Sequence, residues 1–138
     1  MSAARPRPLA ALPEPVLRRV AGIMTDIDDT LTADGRLDPA AHEALRALRT
    51  ARVPVIAITG RPQGWSEPFA SSWPVAAIVA ENGAVALIPD GAALRIEYAQ
   101  DEATRSRNAA RLRRAAQRLQ LEIPGATLAR DSAGRVTD

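Results

Sequence analysis

Val20-Ala21-Gly22-Ile23-Met24-Thr25-Asp26-Ile27-Asp28-Asp29-Thr30-Leu31-Thr32 is the stretch on which the reading of this chain turns. A mainly apolar run ending in acids predicts a buried central strand whose last residues emerge at a sheet edge. Asp26 and Asp28 stand two apart, so an extended backbone projects both carboxylates to one side and turns Ile27 toward the core. Crowded carboxylates repel, and a hard cation such as Mg²⁺ relieves the repulsion. A carboxylate held in this way can attack phosphorus and form an aspartyl-phosphate. Its neighbour can protonate the leaving oxygen and later deprotonate a water. Thr30 is expected to hold the turn through its hydroxyl and so position Asp28.

Outward from this run, strands and helices alternate. Asp38 is a good N-cap and Pro39 a good first helical residue. Ala41, Leu45, Leu48 and Ala51 follow at helical spacing, with His42, Arg46 and Arg49 off the stripe and His42 expected in solvent. Val53 to Ile58 reads as a second strand, broken by Thr59-Gly60-Arg61-Pro62. A short helical segment follows, ended by Pro74, and Val75 to Ala80 makes a third strand. Trp65, Phe69 and Trp73 recur every four residues and predict an aromatic packing stripe, although Pro68 predicts an interrupted helix. Strand, helix, strand, helix, strand is the grammar of a parallel α/β sheet, in which ligands sit at the carboxyl ends of the strands. The three exits, Asp26 to Thr30, Thr59-Gly60-Arg61 and Glu81-Asn82-Gly83, are all polar.

After Gly83 the pattern changes. Ala84 to Ile88 and Leu94 to Tyr98 flank Pro89-Asp90-Gly91 and predict a hairpin. A long helix is expected from Asp101 to about Leu121, its apolar stripe being Ala109, Leu112, Ala116 and Leu119. Arg107, Arg111, Arg114 and Arg118 lie on or beside the other face, as a solvated charge run. Ala126 to Arg130 and Arg135 to Thr137 predict a second hairpin. At the other end, four prolines among the first fifteen residues, with Arg5 and Arg7 between them, predict an extended arm, and Pro15 opens a short helix.

Composition narrows the chemistry. The 138 residues are 46% hydrophobic and 25% charged, room for one domain. Absence of cysteine excludes disulfide scaffolds and thiol nucleophiles, and a single histidine excludes multi-histidine metal sites. The pI of 10.3 suggests nucleic acid, but all 18 basic residues are arginine and the net charge is only +2. With no lysine, almost nothing titrates between neutrality and the arginine range, so the high pI carries no such weight. No apolar run nears the ~20 residues of a membrane span, and Leu9 to Leu12 is too short for a signal peptide. The expected setting is cytoplasmic, with neither nucleic acid nor membrane as partner.

The first stretch resembles the opening motif of the haloacid dehalogenase (HAD) superfamily of phosphohydrolases. Ile56-Ala57-Ile58-Thr59-Gly60-Arg61 resembles its second motif, and Glu81-Asn82-Gly83-Ala84 is similar to the branch whose cap is inserted after the third core strand. That branch includes phosphatases acting on sucrose, trehalose and mannosyl-glycerate phosphates. The resemblance implies an α/β fold: the first half of a Rossmann-like parallel-sheet core over residues 20–88, preceded by an arm and short helix over 1–19. The start of an α+β cap would occupy 89–138. It further implies a Mg²⁺-dependent hydrolase of a phosphate monoester, expected to be a phosphosugar. Asp26 would be nucleophile and metal ligand, and Asp28 acid/base, its backbone carbonyl also on the metal. Thr59 would bind the phosphoryl group through its hydroxyl and N–H, Gly60 would admit the backbone closely, and Arg61 and Asn82 would face phosphate or substrate.

Two parts of the family pattern find no place in the sequence. The basic residue that neutralises nucleophile and phosphate is not evident, and neither is the later acidic pair that completes the metal site. The chain alone is therefore expected to be nearly inactive and, with one edge of its first strand unpaired, to self-associate. The alternatives are a non-catalytic phosphate-binding fragment, and a receiver-like phosphoacceptor domain, which would need an acceptor Asp at the third exit.

Overall fold

The computed structural model describes residues 8–129 and 134–137. Arg5, Arg7, and residues 130–133 of the second expected hairpin lie outside these residues. A short helix α1 (Glu14–Leu17) precedes strand β1 (Ile23–Asp26), which is shorter than the apolar run suggests. A small two-stranded ribbon follows, β2 (Thr32–Ala33) and β3 (Arg36–Leu37), and then helix α2 (Pro39–Thr50). Asp38 caps α2 as expected, its carboxylate accepting from the N–H groups of Ala40 and Ala41 at 2.8 and 3.3 Å. Strand β4 (Val55–Ile58), helix α3 (Gln63–Ser72) and strand β5 (Ala77–Ala80) complete the alternating part.

β1, β4 and β5 are parallel neighbours, Asp26 opposite Ile58 and Ile58 opposite Val79, so their exits open on one edge of the sheet. The predicted hairpin forms as β6 (Val85–Asp90) and β7 (Ala93–Tyr98), the first strand ending two residues later than expected because Pro89 and Asp90 stay in the ladder. It pairs antiparallel with β5 and extends the same sheet, in the order β1-β4-β5-β6-β7. The 88/89 boundary thus falls inside β6. Among the described residues β1 is an edge strand.

One face of the sheet carries the core. Val55, Ala57, Ile78, Ala80, Val85 and Leu87 alternate onto it and pack with Ile27, with Leu45 of α2, and with Ala70 and Trp73 of α3. The opposite face, with Ile56, Val79, Ala86 and Ile88 half-buried, has Met24 74% exposed. His42, expected in solvent, is half-buried.

Two expectations yield to packing. α3 runs unbroken through Pro68, which forfeits one backbone bond in the helix interior. The aromatic ladder supports it: Trp65, Phe69 and Trp73 stack at centroid distances of 4.6 and 4.9 Å and lie against the core. The second hairpin is not seen among the described residues: 126–129 and 135–137 belong to no strand. The reason is a better partner, since residues 134–137 fold back onto α3 and the third exit. Helix α4 (Glu102–Glu122) forms as expected under an Asp101 cap, but none of its residues is buried.

Candidate active site

The first exit is built around Ile27, fully buried, which anchors the acidic turn while Asp26 stands exposed and Asp28 half-buried on either side. The hydroxyl that closes this turn is that of Thr32, not Thr30. Thr32 Oγ1 donates to the Ile27 carbonyl at 3.1 Å and accepts from the Asp29 N–H at 3.3 Å, holding Asp29 in the left-handed region at φ 56°. Thr30 contributes its backbone N–H to the Ile27 carbonyl at 3.3 Å, with its side chain exposed.

The second exit reaches the first through Asp28. Arg61 makes a two-pronged contact, Nε to Oδ2 at 3.2 Å and a terminal nitrogen to Oδ1 at 3.1 Å. Such fork geometry matches guanidinium to carboxylate and fixes both planes. The Thr59 hydroxyl lies at 3.5 Å from Oδ2, the outer limit of a hydrogen bond, and accepts the Arg61 N–H at 3.1 Å. The N–H of Thr59, expected on the phosphoryl group, is instead committed to the Val79 carbonyl at 2.9 Å. That leaves the hydroxyl, which already accepts from Arg61 and lies beside Asp28, as the group this residue turns toward the first exit.

The third exit is laced to the second. Glu81 N–H donates to the Arg61 carbonyl at 3.0 Å, and Asn82 N–H to the Thr59 carbonyl at 3.3 Å. Gly60 lets the Asn82 side chain lie close: a Cβ there would meet the Asn82 Oδ1 at 2.9 Å and push that side chain aside. Glu81 and Asn82 both sit in the left-handed region, φ 51° and 55°, which for Glu is a strained choice.

Sequence reasoning passed over Glu81, yet it is the most enclosed acid of the site, 1% exposed. Its carboxylate accepts from Gln63 N–H at 2.9 Å, from Val136 N–H at 3.0 and 3.2 Å, from Thr137 N–H at 2.9 Å and from the Thr137 hydroxyl. Burial pushes its pKa up, but the hydrogen bonds from Thr137, Gln63 and Val136 outweigh it and hold the carboxyl below its ordinary value. In effect Glu81 caps α3 from another segment, so that helix N-terminus is not open to an anion. The legible signal was an acid closing an apolar strand, which cannot be buried unless paired.

The donors at the first exit are hard oxygens, as Mg²⁺ prefers. Asp26 can offer its carboxylate and Asp28 its main-chain carbonyl, the Asp28 side chain being held by Arg61. Among the described residues no three His, Cys, Asp or Glu side chains cluster around a possible ion. A Mg²⁺ site here would rest on those two groups with water and substrate oxygens, a composition that suits this ion.

Residues 23–114 match the family of haloacid dehalogenase-like hydrolases. The chain belongs to that family. Solved structures agree on the fold. A phosphatase of the haloalkanoate (HAD) superfamily, BT1666 of Bacteroides thetaiotaomicron, superposes with a TM-score of 0.51 at 20% identity, over 70% of this chain and 35% of that one. A hypothetical protein of Geobacillus kaustophilus HTA426 gives 0.52 at 26% identity, over 70% and 36%. A haloacid dehalogenase-like hydrolase of B. subtilis gives 0.50 at 22% identity, over 72% and 33%. This member of the family thus spans about a third of the length of the solved structures it matches. No curated protein matches it. No helix among the described residues is long and apolar enough to cross a membrane.

Proposed function

We propose that this chain carries the nucleophile-bearing part of a phosphomonoester hydrolase. The observation that supports the reading best is the joining of two strand exits by the Arg61–Asp28 fork, with the Thr59 hydroxyl beside the same carboxylate. In this reading Asp26, exposed at the tip of β1, attacks the phosphorus of a monoester. The phosphorus–oxygen bond to the alcohol breaks, and Asp28, protonated and turned out of the Arg61 fork at that step, gives its proton to the departing oxygen. Asp28, now a carboxylate, then removes a proton from the water that releases inorganic phosphate and restores Asp26. Arg61 holds the Asp28 carboxylate in place between turnovers, while the Thr59 hydroxyl and Asn82 bind the phosphoryl group and substrate beside Gly60. Mg²⁺, held by Asp26 and the Asp28 carbonyl, would neutralise charge on the phosphoryl oxygens.

The substrate class proposed is a phosphosugar, on the resemblance of Glu81-Asn82-Gly83-Ala84 to the branch with a cap after the third strand. Residues beyond the hairpin, beginning with α4, are proposed as the opening of that cap. A receiver-like acceptor is disfavoured, because the third exit offers a buried, fully engaged Glu81 and an Asn in place of an acceptor Asp.

The test is binding of beryllium fluoride, a phosphoryl mimic, to the 138-residue chain in the presence of Mg²⁺. Binding that disappears in Asp26→Asn supports the reading; binding indifferent to Asp26, or none in the parent chain, overturns it. With only two protein groups for the ion, turnover of phosphosugars by this chain is expected to stay at background. Binding without hydrolysis is therefore the expected pattern. It would also fit a purely phosphate-binding role, which any Asp26-dependent turnover of a phosphomonoester would exclude.

A further inference from the structure

The four residues Gly134 to Thr137 lie against the second and third exits through five kinds of contact. Gly134 offers its carbonyl to the Gly64 N–H at 3.1 Å, so a second free donor of the first turn of α3 is met by this segment. The two backbones approach so closely that a Cβ on either glycine would come within 3.2 Å of the other's Cα. Arg135 donates to the Gly60 carbonyl at 3.0 Å. Val136 and Thr137 give their N–H groups, and Thr137 its hydroxyl, to Glu81. Thr137 is itself buried.

Glu81 stands where these lines meet. Its own N–H holds the Arg61 carbonyl, and one carboxylate oxygen holds Gln63 at the head of α3. The second oxygen is given almost wholly to Val136 and Thr137. A buried carboxylate is costly unless fully hydrogen-bonded, and a left-handed Glu adds backbone strain. Without residues 136 and 137, the same geometry would leave a charged oxygen unsatisfied inside the fold. We propose that Glu81 is a positioning residue that fastens the strap 134–137 onto the loop Thr59–Gln63, so that the segment following α4 and the phosphate-facing loop become ordered together. This rests on the hydrolase reading only in assigning phosphate to that loop; the fastening itself is a property of the fold.

Amide hydrogen exchange of the 138-residue chain, followed by NMR, tests the fastening without any ligand. In the parent chain the N–H groups of Gln63, Gly64, Val136 and Thr137 are expected to be slow. Glu81→Gln keeps one acceptor for Gln63 but turns an NH₂ toward the donors of Val136 and Thr137. It is expected to speed exchange at 136 and 137 at least tenfold while Gln63 remains protected. The milder Thr137→Val, which removes one hydroxyl at constant volume, guards against loss of folding. In both variants the loop amides of Arg61, Glu81 and Asn82 are expected to exchange several-fold faster, with those of α2 unchanged. Fast exchange at 136 and 137 in the parent chain, or a released strap with an unaltered loop, would overturn the proposal. A matching several-fold weakening of beryllium fluoride and Mg²⁺ would extend the coupling to the ligand. Should the parent chain bind no beryllium fluoride, the hydrolase reading falls and the exchange data alone decide on Glu81.

Discussion

The sheet with α2 and α3 on one side, and α4 on its own, show what amphipathic spacing does and does not imply. Both regions carry apolar residues at helical intervals. In the first, Leu45, Ala70 and Trp73 reach a core in which every buried apolar side chain of the described residues lies between Ile27 and Leu87. In α4, Leu112 and Leu119 remain half exposed on an equally regular stripe, and the helix meets the sheet through Arg105, whose guanidinium lies 3.6 Å over the ring of Tyr98. Periodicity names the face that wants a partner. It does not supply one.

The largest effect expected from this contrast is on stability. Ile78→Ala, at a fully buried site, should cost about 2–5 kcal/mol in urea unfolding. Leu112→Ala should stay within about 0.5 kcal/mol. Equal losses would mean that α4 is docked after all. Acid should strike the sheet region next. Because folding holds the Glu81 carboxyl below its ordinary 4.5, its contribution is complete above that value and fades as pH falls through and beneath it. Unfolding midpoints measured from pH 6 to pH 3 should drop below 4.5 in the parent chain and more shallowly in Glu81→Gln.

Gly60→Ala should sharpen the comparison at the loops: the added Cβ displaces Asn82, and affinity for beryllium fluoride and Mg²⁺ should fall by tenfold or more while α4 helicity by circular dichroism is unchanged. The open sheet face gives a further contrast with the covered one. Met24→Lys on the exposed edge strand should shift sedimentation toward monomer, and an unaltered profile would detach association from that edge. Arg61→Ala should be smallest in stability, about 0–1 kcal/mol, because the side chains of Arg61 and Asp28 are 42% and 38% exposed. Its consequence belongs to function, where a loss of binding without a loss of fold is the expected signature.

Much of the first region was legible because its signals are local. The Asp38-Pro39 start, the three polar exits and the hairpin around Asp90-Gly91 depend on neighbours a few residues away. What escaped was non-local. Continuity of α3 through Pro68 depends on an aromatic ladder lying against the core, and the missing second hairpin depends on Glu81, 55 residues before Val136. The choice between Thr30 and Thr32 for the turn needed the actual backbone path. For the site, Asp28, Arg61 and Thr59 are brought together as their motifs suggested, whereas Glu81 and Arg135 could be placed only by the fold-back of the last described residues.

The ladder on α3 has an optical consequence. The chain's two tryptophans occupy its ends: Trp65 has the Arg61 guanidinium 5.3 Å from its ring, and Trp73 is wedged into the core, with Phe69 between them. Intrinsic emission therefore reports from two addresses, one bordering the proposed chemistry and one within the packed interior. Exchanging either indole for phenylalanine would separate a spectrum sensitive to occupancy from one sensitive to melting.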